Sequence, residues 1–225
     1  MTSRPYRCQL FLFFFLALVA SATAQIRIAK DAFAVPSRHL EALAWSTIDA
    51  FPFSNLTPIY LTSSPKGPRT LYQPNHRGEI VIELNTTGQH PAQLIYQFAH
   101  EITHLHLGLI PRPPELKWLE ESLCETASLF ALRRLSAMWL KNPPLPGLDT
   151  HAPHLISYFD SIRSTRPPLS GPLLGFLRKH RPHLTAQKPP RPLCGAIALE
   201  LLPAFEANPG LWQQVQGLPI FRSQP

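Results

Sequence analysis

Residues 91–107 read PAQLIYQFAHEITHLHL, and the phase of this stretch sets how the rest of the chain is arranged around it. Pro91 suits a first helical position. Gly108, with Pro111 soon after, is a stop signal, so the spacing predicts a helix over 91–107. At about 100° per residue and with His100 at zero, His104 falls near 40°, Gln97 near 60°, Gln93 near 20° and Tyr96 near −40°. Glu101 flanks this stripe at about 100°. Ile95, Phe98, Ile102, Leu105 and Leu109 gather between about 140° and 220°. One face is made for a core. The other presents two imidazoles one turn apart, with a carboxylate beside them.

Working outward, residues 79–84 (EIVIEL) alternate, with Ile80, Ile82 and Leu84 on one side and Glu79, Val81 and Glu83 on the other, which predicts a half-buried strand. A second strand is expected over 57–62 and a turn-rich loop over 63–68. Upstream, Leu40, Leu43, Ala44, Thr47 and Ile48 recur at helical spacing and predict a helix over 37–50. Downstream of the central stretch nearly everything reads as helix, at about 117–140, 153–162, 172–180, 193–206 and 209–216. The chain holds 26 prolines. Those at 111–114, 143–146, 167–168 and 189–192 are clustered, and proline does not continue a helix interior, so the clusters read as connections. Strands first and helices afterwards give an α+β fold: a small N-terminal sheet on the 91–107 helix, followed by a mainly helical second half.

Residues 1–24 read as a secretory signal peptide: Arg4 and Arg7, an apolar run from Leu10 to Ala20, then Ala22-Thr23-Ala24 as a cleavage site. The run is shorter than the roughly 20 residues of a spanning helix. Export to a periplasm or an extracellular space is therefore expected, with residues 25–225 as one domain and no membrane contact after cleavage. Without Arg4 and Arg7 the charge is about +5. Its basic residues read as short scattered clusters, Arg133-Arg134, Arg178-Lys179 and Arg181, on a solvated surface. They fit anionic envelope material and select no specific nucleic acid. Cys8 leaves with the signal peptide, and in an oxidising compartment Cys124 and Cys194 are expected to pair.

Two histidines at i and i+4 on one helix face can direct ring nitrogens at one zinc ion. The intervening Glu101 sits to one side, where it can take a proton from water acidified by the metal. With 10 His and 14 acidic residues the pattern arises by chance in roughly 3 chains in 100 of this composition, so its phase opposite the core adds weight. His106 is rotated about 200° from His104 and reads as a surface or second-face histidine. The third ligand then defines the class.

Downstream, residues 115–127 read ELKWLEESLCETA. With the His-Glu-x-x-His stretch, this resembles the gluzincin peptidases, the thermolysin and aminopeptidase N-like group, over about residues 79–130. The resemblance places Glu121 as the third zinc ligand and Glu125 as the acid that orients a ligand histidine. It also implies that the 79–84 strand lies along the site and pairs with extended substrate. Glu121 and Glu125 share a helix face by spacing; Glu120 is turned by about 100° and is the next candidate ligand. Ser122 stands where the group usually has glycine, and no aminopeptidase amine-binding motif is present. An oxyanion donor is expected well past the glutamate, with Tyr158 preferred over His154 and His151. His180 and His183 are expected in a solvent-facing basic loop.

The expected function is thus an exported zinc hydrolase acting on peptide or protein, with Glu101 as base. Two other readings stay open at this stage: a non-catalytic zinc-binding module on the same scaffold, and a metal-dependent amidase acting on cell-envelope peptide.

Overall fold

The computed structural model describes residues 25–53, 56–110, 112–169, 171–216 and 218. The signal sequence and its cleavage site lie outside these. The fold is α+β. Strands β1 (Ile26–Ile28), β2 (Ile59–Ser63), β3 (Arg69–Thr70) and β4 (Ile80–Leu84) make one sheet in the order β1-β2-β4-β3. β1, β2 and β4 are parallel, with Ile59 opposite Ile80 and Leu61 opposite Ile82; β3 is antiparallel to β4, with Thr70 opposite Ile82. Between β1 and β2 runs α1 (Ser37–Asp49), the crossover that a parallel pair requires.

The alternation of β4 is as its sequence predicts: Ile80, Ile82 and Leu84 are buried, and Glu83 turns outward to pair with Arg69 at 2.6 Å. β4 is not, however, an edge. It is flanked by β2 along its whole length and by β3 at Ile82 and Glu83. The edge strand beside the central helix is β3.

The helical half comprises α2 (Pro91–His106), α3 (Pro114–Trp139), α4 (Ala152–Ser164), α5 (Leu173–Leu184), α6 (Arg191–Ala207) and α7 (Leu211–Gln216). Proline marks the beginnings: Pro91 and Pro114 open α2 and α3, and Pro190 precedes α6. α3 thus starts earlier than its apolar pattern indicates, since Pro114 supplies the helical φ at a position whose N–H would have no partner anyway. α5 runs through Pro182, so His180 and His183 lie on a helix and not in a loop. No described helix is long and apolar enough to cross a membrane.

Ile95, Phe98 and Ile102 are fully buried beneath the sheet and α1, as the helical phase requires. The opposite face of α2 is covered as well, by α3 and β3. Glu101 and His104 are 4% and 8% exposed, so the polar stripe forms the floor of a cleft and not a solvent face.

Candidate metal centre

The site is made by a helical hairpin. Gly108 (φ +93°) takes the left-handed conformation that ends α2. The last carbonyls of α2, Leu107 and Gly108, accept hydrogen bonds from Nη2 of the buried Arg112 at 2.7 and 3.1 Å. The chain then turns into α3. Ser128 meets Tyr96, Glu121 meets His100 and Glu120 meets His104, so the two helices run antiparallel with their polar faces opposed.

Nε2 of His100 is 3.4 Å from Oε2 of Glu121, and Nε2 of His104 is 4.0 Å from Oε1 of the same carboxylate. Nδ1 of His104 donates to Oε1 of Glu120 at 2.8 Å, which fixes that ring and leaves Nε2 as the nitrogen facing the cleft. Ligands about 2.0–2.1 Å from a tetrahedral zinc are about 3.3 Å from one another. The 3.4 Å separation matches that spacing; the 4.0 Å one, to the other oxygen of the carboxylate, is longer. Glu121 is the open member, with 39% of its side chain exposed. Cys124 is the competing donor: its sulfur and one nitrogen each of His100 and His104 lie within 4.8 Å of one another. Glu101 points to the β3 side, where the Thr70 hydroxyl lies 2.9 Å from its Oε2 and 3.0 Å from its backbone oxygen.

The surroundings favour an ionised Glu121 and a charged His104. Burial opposes ionisation of Glu121, but the hydrogen bond from His100 and the charges of His100, His104 and Arg191 hold its pKa down at about 2. Burial would lower His104; Cys124, Glu120 and Glu101 outweigh it and hold the ring well above its usual value. Burial pushes the Cys124 thiol up to about 12, so it is protonated at neutral pH. Any cation binding here displaces protons.

No protein-family profile, curated protein or solved structure matches this chain. The residues themselves therefore carry the reading.

His100, Glu101, His104 and Glu121 converge as the sequence indicates. Glu125 does not orient a histidine. Its carboxylate accepts from the Tyr96 hydroxyl and from Nη2 of Arg166, each at 2.5 Å, and Tyr96 in turn accepts from Arg166 at 3.3 Å. Glu120 takes the orienting role instead, because the antiparallel hairpin places it against the far side of the His104 ring. Tyr158 packs edge-on against Tyr96, with ring centroids 5.8 Å apart, and lines a separate groove with His90, His151 and His154. That groove is on the other side of Tyr96 from the histidine pair. Tyr72, just past β3, is the tyrosine within electrostatic range of His104. Burial raises its pKa, and His104, Glu120, Cys124 and Glu121 all act on its hydroxyl. Tyr72 lies in the bend after β3, and no periodic pattern in the sequence marks it.

His106 is buried, not a surface residue. Its ring stacks on Phe53 at 3.9 Å, and Nε2 is 2.8 Å from the Trp212 carbonyl oxygen. Cys124 and Cys194 are both buried free thiols. The expected bridge is not formed: Cys124 turns toward His104, and Cys194 toward Ser122 and the cleft wall.

Proposed function

We propose that this protein is a zinc-dependent hydrolase of gluzincin type acting on peptide bonds, with His100, His104 and Glu121 as the metal ligands and Glu101 as the base. The observation that carries the reading is the single Glu121 carboxylate facing Nε2 of both histidines at 3.4 and 4.0 Å. A mixed sheet with an antiparallel edge strand beside the histidine helix, and a second helix delivering the glutamate, supports the zincin-like arrangement.

Zinc bound there supplies a Lewis acid that polarises a carbonyl and acidifies water. The chain does the rest. Glu120 holds the His104 ring with Nε2 inward. Thr70 occupies Oε2 of Glu101, so Oε1 is the oxygen left to take a proton. Tyr72, with 43% of its surface exposed, has a hydroxyl able to donate to an oxygen that gains charge. The buried floor keeps these groups in a low-dielectric setting, where each interaction counts for more than in water.

The test is zinc content and turnover of the purified protein, with Glu101→Gln beside it. One zinc per chain in both, with peptide hydrolysis lost only in the variant, is the expected result. A protein that takes up no zinc from excess metal sinks the reading.

The Cys124 sulfur favours a second reading, a closed His-His-Cys site without catalysis. Cobalt(II) in place of zinc separates the two. A thiolate charge-transfer band that disappears in Cys124→Ser marks the closed site, whereas loss of metal in Glu121→Ala alone marks the catalytic one.

A further inference from the structure

Counted along the whole sequence, the positive charge is segregated. Between Asp160 and Glu200 there are seven Lys and Arg and no acidic residue, whereas the rest of residues 25–225 has twelve Lys and Arg against fourteen Asp and Glu. The entire surplus sits in one segment. That segment comprises the end of α4, α5 and the start of α6, and it folds back to form one wall of the cleft. Arg166, Pro189, Arg191 and Cys194 line one narrow cleft with His100 and Glu121.

The two wall arginines differ. Arg166 is committed: Glu125 and Tyr96 hold its guanidinium, and its stem lies so close over Gly195 that a Cβ there would be 2.3 Å from Nε. Arg191 is exposed in the first turn of α6, a turn with no acidic residue, and enters no ion pair among the described residues. It lines the same cleft as His100 and Glu121. A cleft wall with an exposed, unpaired cation attracts ligands of the opposite sign, and a guanidinium is shaped to take a carboxylate with two parallel hydrogen bonds.

We propose that Arg191 selects substrates bearing a carboxylate next to the bond to be cut, from an acidic side chain or a peptide C-terminus; this rests on the hydrolase reading above.

The experiment measures binding of fluorescent peptides to the full-length Glu101→Gln protein by anisotropy, so that the readout does not need turnover. Four peptides differ only in charge: Gln or Glu beside the central bond, each with a free or an amidated C-terminus. The wild-type hydrolysis of the same four is measured in parallel. A preference of about tenfold for one carboxylate source is expected. It should shrink as salt is raised, collapse in Arg191→Ala and turn toward a Lys-containing peptide in Arg191→Glu. Lys141→Ala, a cation outside the wall, should keep the wild-type ratio. Which peptide is preferred identifies the source of the carboxylate. Equal binding of all four, or binding of none at millimolar peptide, overturns the inference. Polyphosphate binding that depends on the basic segment, without any preference among peptides, overturns it in favour of a polyanion partner. Cleavage of all four at equal rates overturns the selectivity and leaves the hydrolase standing. A clear preference in binding with no hydrolysis by wild type leaves the selectivity and removes the hydrolase.

Discussion

Nδ1 of His104 lies 2.8 Å from Oε1 of Glu120, and both side chains are nearly closed to solvent. The carboxylate fixes which nitrogen of the ring points into the cleft. Glu120→Gln keeps the shape and removes the charge. Partners of this kind contribute about ten- to a hundredfold to metal affinity. Zinc affinity measured by chelator competition should fall within that range in Glu120→Gln, with the helical circular dichroism unchanged. An unaltered affinity means the ring is held by something else.

Thr70 to Glu101 is the comparable link on the opposite side. Thr70→Val preserves volume and deletes the hydroxyl that lies 2.9 Å from Oε2. Peptide hydrolysis should drop about tenfold or more. Zinc content should stay at one per chain, because Thr70 touches the base and not the ligands. Loss of metal along with activity would place Thr70 in the fold instead.

Glu125 and Arg166 form the most enclosed acid–base pair outside the histidine site, with 10% and 14% of their side chains exposed. Removing one partner of such a pair strands the other. Glu125→Ala should cost about 3 kcal/mol or more in chemical denaturation. Gly195→Ala attacks the same pair from behind, because the new methyl meets the arginine stem backed by the Glu125 contact. A loss of about 1–3 kcal/mol is expected there. If Gly195→Ala is neutral, Arg166 has another place to go.

Acid stability should follow Glu79. Its carboxyl is held at about 2, against an ordinary 4.5, by hydrogen bonds from Arg27 and Asn75 that prevail over burial. A depressed folded-state pKa stabilises above the ordinary carboxylate range and loses that contribution as pH falls from about 4.5 toward 2. Glu79→Gln should flatten this limb of the stability–pH curve and leave the neutral-to-alkaline limb alone. Melting temperatures from pH 2 to 7 decide it.

The strongly periodic parts of the fold were legible in the sequence, because burial on one side imposes a pattern. Ile80, Ile82 and Leu84 and the Ile95–Phe98–Ile102 stripe are examples. β1 and β3 were not. Three and two residues hold no period, and their pairing is decided by neighbours distant in the chain. The site divides in the same way. His100, Glu101 and His104 were picked out by spacing on one helix, and Glu121 by the resemblance of the stretch that follows. The exchange of roles between Glu120 and Glu125 was not legible, since adjacent carboxylates on one helix are told apart by what the next element places against them. His106 shows the limit of a single-helix view. Its rotation away from His104 pointed to solvent, but Phe53 and the α7 carbonyl at Trp212 close over that face.

The four residues named as ligands and base lie within 22 consecutive positions, on a hairpin clasped by Arg112, whereas the wall opposite comes from a stretch more than 40 residues further on. Closing a short turn costs little chain entropy, and bringing in a remote segment costs more. The cleft therefore has a local half and an imported half, with separate histories during folding. A polypeptide interrupted at the end of α4 would contain every group that faces His100 from α3 and none of the wall residues that stand across from them. On the proposed reading, exchanging the late segment would change the wall and leave the proposed ligands and base in place.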